Sequence, residues 1–92
     1  MEKRIGAVVV LVKGRRNIPK LNTIISNHAD IIIARQGLPL IERDMSVISF
    51  IVEGSTDRIG SLTGRIGRLD GLQAKSVLTK YSDPKKGGYF DP

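Results

Sequence analysis

The sequence contains no cysteine and no tryptophan, has a single histidine, and takes only 4% of its residues from Phe, Trp and Tyr together. Without cysteine there is no disulfide, no iron–sulfur ligation, no thiolate zinc site and no Cys nucleophile, which suits a reducing compartment. A cytoplasmic location is expected. With His28 as the one imidazole, a transition-metal site on a single chain lacks ligands. Copies of His28 shared across a symmetric interface are the remaining route to one. Beside Asn27 at the end of a helical pattern, His28 itself reads as a solvent-facing residue near the negative end of a helix dipole. The few aromatics are Phe50, inside a strand pattern, and Tyr81, Tyr89 and Phe90 near the end, so no base-stacking platform lies on a sheet. Long apolar runs are missing too. Ala7 to Val12 is too short to span a bilayer and no small-residue cleavage site follows it, so no membrane is expected as a partner.

What is present is a basic, aliphatic chain of 92 residues, with 15 Lys and Arg against 9 Asp and Glu and a net charge of +6. A chain of this length supports one modest core, burying roughly 60% of its unfolded surface. Its positive excess favours phosphate-rich or acidic partners and carries no information about the fold.

Ile5 to Val12 is continuous and β-branched, as in a strand buried on both faces at the centre of a sheet. After the polar loop Lys13-Gly14-Arg15-Arg16, Asn17 can cap a helix whose first turn tolerates Pro19. Ile18, Leu21, Ile24, Ile25 and Ala29 recur at helical spacing up to about Asn27-His28. Ile31 to Arg35 predicts a second strand, Gly37, Pro39 and Glu42 to Asp44 a bend, and Met45 to Glu53 a long third strand. Gly54-Ser55-Thr56 offers a turn and an N-cap, and Ile59, Leu62, Ile66 and Leu69 place a second helix at about Asp57 to Leu69. Leu72 to Thr79 reads as a half-exposed edge strand. The order β-α-β-β-α-β is the ferredoxin-like plan: an α+β sandwich with a four-stranded antiparallel sheet and two helices on one face. It occupies residues 1–80. Residues 81–92 carry no periodic apolar pattern and read as a C-terminal extension of flexible character.

Three constellations invite a functional reading. Lys13, Gly14, Arg15, Arg16 and Asn17 lie where a strand feeds a helix, a place suited to a carboxylate or phosphate. Arg35, Gln36 and Gly37 form a second polar cluster, read as a turn that meets the first at a subunit interface and there binds a small anionic ligand or an acidic protein segment. Arg58, Arg65 and Arg68 are placed on the polar side of the second helix, opposite Gly60, Gly64 and Gly67, as a face for nucleic acid, although no base-reading motif accompanies them. The glycines lack the Lys-Ser or Lys-Thr of a phosphate loop and suggest close packing of another backbone. No nucleophile–base pair and no paired catalytic carboxylates emerge, so an enzyme is not expected, nor is a cofactor.

The stretches RQGLP at Arg35 to Pro39, SVISFIVEGSTDRIGSLTGRIGRLDG at Ser46 to Gly71 and KSVLTK at Lys75 to Lys80 resemble the iron-only hydrogenase system regulators, as do MEKRIGAVVVLVK and PKLNTII. That family is similar to ACT domains and to the C-terminal sensor domain of the nickel-responsive repressor. The resemblance implies an ACT-like ferredoxin fold, a homo-oligomer (dimer or tetramer) and a ligand-responsive regulatory role. Pro19 is followed by Lys20 rather than by the glycine usual in amino-acid-binding ACT domains, and no ribbon-helix-helix segment is present. The function expected is therefore a ligand-responsive or protein-interaction module regulating the iron-only hydrogenase system. The alternative is a basic nucleic-acid-binding protein in transcriptional regulation.

Overall fold

The computed structural model describes residues 3–80; Met1, Glu2 and the extension at 81–92 lie outside them. The elements are β1 (Arg4–Lys13), α1 (Ile18–Asn27), β2 (Ile32–Leu40), β3 (Met45–Gly54), α2 (Thr56–Gly67) and β4 (Leu72–Leu78). Two single 3-10 turns, Ala29–Ile31 and Ile41–Arg43, flank β2. The sheet order is β2-β3-β1-β4, all antiparallel, with β1 and β3 paired in register from Arg4 opposite Gly54 to Lys13 opposite Met45. The predicted ferredoxin-like plan is the observed one.

Among the described residues, the apolar runs of β1 and β3 are covered on one face only. Val8, Val10 and Val12 of β1 and Ile48, Phe50 and Val52 of β3 point to one side, where they meet Leu21 of α1 and Ile59, Leu62 and Ile66 of α2 in a single core. Full burial of each such side chain contributes about 1.5–3 kcal/mol. The alternate residues face away from both helices, and Val9, Ile51 and Val77 remain 46%, 44% and 71% exposed.

β2 is longer than predicted. Gly37 and Pro39 read as a bend, yet the strand continues through them to Leu40, and Arg35, Gln36 and Gly37 pair with Phe50, Ser49 and Ile48 rather than forming a turn. An edge strand tolerates proline, because an amide that faces solvent is not needed by the ladder. A bulge at Ile33 shifts its register.

Local chemistry fixes the helix ends. Ser55 caps α2, its hydroxyl oxygen accepting the Arg58 amide at 3.1 Å. Asn17 occupies the N-cap position of α1 without making the capping bond; its side-chain amide instead donates to the Asp70 carbonyl at 2.8 Å. At Gly6 a Cβ would stand 2.6 Å from the Val77 carbonyl, so only glycine lets β4 lie this close. Among the described residues no helix is long and apolar enough to cross a membrane.

Candidate functional site

The β1–α1 loop leaves the sheet beside the beginning of β3, because antiparallel pairing sets Lys13 against Met45. The Gly14 amide donates to the Asp44 carbonyl at 3.0 Å, and both residues adopt positive φ, 74° and 50°. Glycine takes that conformation without cost, and aspartate is among the few side chains that tolerate it. Together they fasten the loop to the β2–β3 hairpin and leave between them an open cavity of about 440 Å³, lined by Gly14, Arg15, Ile18, Pro39, Ile41, Asp44, Met45 and Ser46. Ile41 stands 85% exposed at its edge. Arg15 makes no ion pair among the described residues. Arg16 pairs only loosely with Asp70, at 4.0 Å and with both side chains in solvent, an interaction of little energetic weight.

The predicted companion cluster is not beside this loop within one chain. Arg35 lies five positions along β2 from Leu40, the residue level with Met45 and Lys13. That distance is about 16 Å at ~3.3 Å per residue. The Arg35 guanidinium instead caps the ring of Phe50 at 6.0 Å from its centroid. What meets the loop is the stretch from Pro39 to Ser46, which sequence reasoning did not single out. The signal was there: if β1 and β3 are adjacent and antiparallel, the end of one must adjoin the start of the other.

The arginines of α2 divide. Arg58 is bound to Asp30 and also donates to the Asn27 carbonyl at 3.4 Å, so it ties α2 to the end of α1. Arg65 and Arg68 share a second cavity of about 270 Å³ with Gly60, Ser61 and Gly64. The glycines are therefore on the same side as these arginines, not opposite them. A Cβ at Gly60, Gly64 or Gly67 would meet nothing within 4 Å, so no backbone among the described residues packs against them.

His28 is not solvent-facing. It is 3% exposed, with Nδ1 at 2.7 Å from the Ile24 carbonyl and Nε2 at 3.2 Å from the Ser61 hydroxyl. The carbonyl can only accept, so Nδ1 carries a proton; in the neutral ring Nε2 then accepts from Ser61 O–H, and the Ser61 oxygen accepts Arg65 Nε–H at 3.2 Å. Ser61 lies 33 residues from His28, which is why a local reading missed the pair. The contact brings a hydroxyl to a base, but the Arg65 donor occupies the oxygen that would have to attack, and the bond's evident work is to join the two helices. Among the described residues, no group of three or more His, Asp or Glu side chains is arranged to hold a metal ion.

The sequence model of the TM1266-like family, presumed iron-only hydrogenase system regulators, matches residues 4–76. The chain is similar to the uncharacterized protein TM1266 from Thermotoga maritima, with a TM-score of 0.81 and 29% identity over 85% of this chain and 99% of that one. It also resembles a protein of unknown function from Galdieria sulphuraria, with a TM-score of 0.59 and 13% identity over 89% of this chain and 48% of that one, a likeness of fold alone. No curated protein matches.

Proposed function

We propose a regulatory function, and its premise is a family: the chain belongs to the TM1266-like iron-only hydrogenase system regulators. In this reading it is a cytoplasmic, non-catalytic module that associates with copies of itself and responds to a small anionic ligand or an acidic protein segment. The observation that carries it is the cavity between the β1–α1 loop and the β2–β3 hairpin, whose lining brings Arg15, without an ion pair among the described residues, together with Asp44 and apolar Ile18, Pro39 and Ile41. With one guanidinium, one carboxylate from Asp44 and an apolar wall, the lining suits a small organic anion that also carries a hydrogen-bond donor: its negative group meets Arg15, its donor meets Asp44, and its carbon frame displaces water from Ile41.

Self-association is supported by the open sheet face. Ala7, Val9 and Leu11 lie beside Ile51, Ser49 and Val47, with Val77 and Leu38 at the margins. Their exposure leaves a contiguous apolar surface of the kind that soluble proteins cover. A second copy covers it with a self-complementary patch, as two-fold symmetry provides. Arg35 and Gln36, on the edge strand β2, then reach the loop site only from a neighbouring chain.

The test is thermal melting with a panel of cellular organic anions, alongside native mass spectrometry. A ligand that raises the melting temperature of the parent protein should lose that effect in Arg15→Ala while the unliganded fold is unchanged. An equal rise in both proteins would reject the loop cavity as the site. A single-protomer mass at tens of micromolar would reject the assembly. Specific, salt-resistant binding of an oligonucleotide would favour the nucleic-acid reading instead.

A further inference from the structure

The cavity on α2 is separate from the loop site and has a different chemistry. Its rim holds two guanidinium groups, Arg65 and Arg68, and its lining holds no carboxylate. The ion pairs among the described residues, Arg16 with Asp70 and Arg58 with Asp30, both lie elsewhere. Two like charges three residues apart on a helix repel, so the site is electrostatically incomplete when empty.

One of the two cations is also held in place from the core. The Ile24 carbonyl fixes the buried His28 ring, His28 Nε2 accepts from the Ser61 hydroxyl, and the Ser61 oxygen accepts Arg65 Nε–H. That chain of bonds consumes Nε alone and leaves both terminal nitrogens of Arg65 without a partner among the described residues. An arginine on a free surface must give up side-chain entropy to bind an anion; here part of that ordering has been done in advance. Beneath the guanidiniums the helix surface at Gly60 and Gly64 is bare, so a ligand can come down onto the backbone between them.

We infer that Ser61 and Arg65 of α2, with Arg68 at its C-cap, form a second binding site, specific for the phosphoryl group of a small phosphomonoester. A dianion with three terminal oxygens satisfies two guanidinium forks at once, which a single carboxylate does not. The volume of about 270 Å³ exceeds what a bare phosphate needs and admits a sugar-sized organic part over Gly60 and Gly64. Arg58, tied to Asp30 and Asn27, does not extend the site into the continuous basic track that a nucleic-acid strand follows.

The experiment is an amide NMR titration of the full chain at physiological salt with inorganic phosphate, glucose 6-phosphate and a single-stranded oligonucleotide as probes. Expected are saturable shifts at the Gly60, Ser61 and Gly64 amides, tighter with the sugar phosphate than with phosphate alone. Arg65→Gln and Arg68→Gln should each weaken this binding roughly tenfold, about 1.4 kcal/mol. Ser61→Ala should weaken it less, with Ser61→Thr restoring it, as befits a positioning residue. Gly64→Leu should abolish binding while leaving the melting temperature unchanged or higher, an outcome that a purely structural role for this surface does not produce. Arg15→Ala should have no effect, so failure here is distinguishable from failure of the loop site. Absence of saturation at about 10 mM sugar phosphate, equal binding by Arg65→Gln, or tighter binding of the oligonucleotide than of the monoester would each overturn the inference.

Discussion

The two faces of the sheet are made from the same strands and very nearly the same residue types, yet they have opposite fates. On β3, Phe50 is fully buried and its neighbour Ile51 is 44% exposed. On β1, Val8 and Val10 are sealed under the helices while Val9 between them is not. The lesson is that apolar character along a central strand specifies that both faces are to be covered without specifying by what. Among the described residues two helices cover one face and none covers the other, which is the face the proposed self-association would use.

The comparison breaks first at its strongest point. Phe50→Ala should cost about 3–5 kcal/mol of unfolding free energy. Ile51→Ala, one residue away, should cost less than about 1 kcal/mol in the isolated protomer. Urea denaturation of both variants measures the difference, and equal losses would mean that the open face is already packed in solution. Next comes the most deeply buried polar side chain among the described residues: His28→Ala strands the Ser61 hydroxyl and should cost about 1–3 kcal/mol, read by the same denaturation. Ile51→Lys should leave the circular-dichroism spectrum of the parent protein intact and reduce the sedimenting species to the single protomer, which tests the partner-covered face directly. The smallest effect has the opposite sign. Gly64→Ala adds a side chain that meets nothing and should stabilise the protein by about 0.8–1 kcal/mol.

How much of this was legible follows from where the deciding contacts lie. β1, β3, both helices and β4 were readable because periodicity and caps are local; Ser55 announces α2 within a single turn. β2 was cut short because Gly37 and Pro39 break an isolated strand, and only the neighbouring β3 shows that this edge can carry them. The loop site was half legible. Gly14 and Arg15 were named, whereas Pro39, Ile41 and Asp44 join them through strand pairing that no local window contains. His28 was misread for the same reason, since its partner Ser61 sits on the other helix. The side of α2 on which the glycines lie was also misjudged, by treating the helix as two opposed halves when Arg65 and Arg68 border the bare strip itself.

The central position of the first strand has a consequence for how the protein is made. β1 is synthesised before every element it pairs with, and its partners on the two sides are β3 and β4. Gly6 is matched by Leu78, roughly seventy residues later in the chain. At about 5–20 residues per second, the ribosome leaves the Val8 to Val12 segment unpaired for several seconds. During that interval an uncharged, β-branched stretch is available to any exposed strand edge it meets. The sheet therefore cannot close until its last strand has been made, and the Val8 to Val12 segment is the part of the nascent chain most open to wrong pairing.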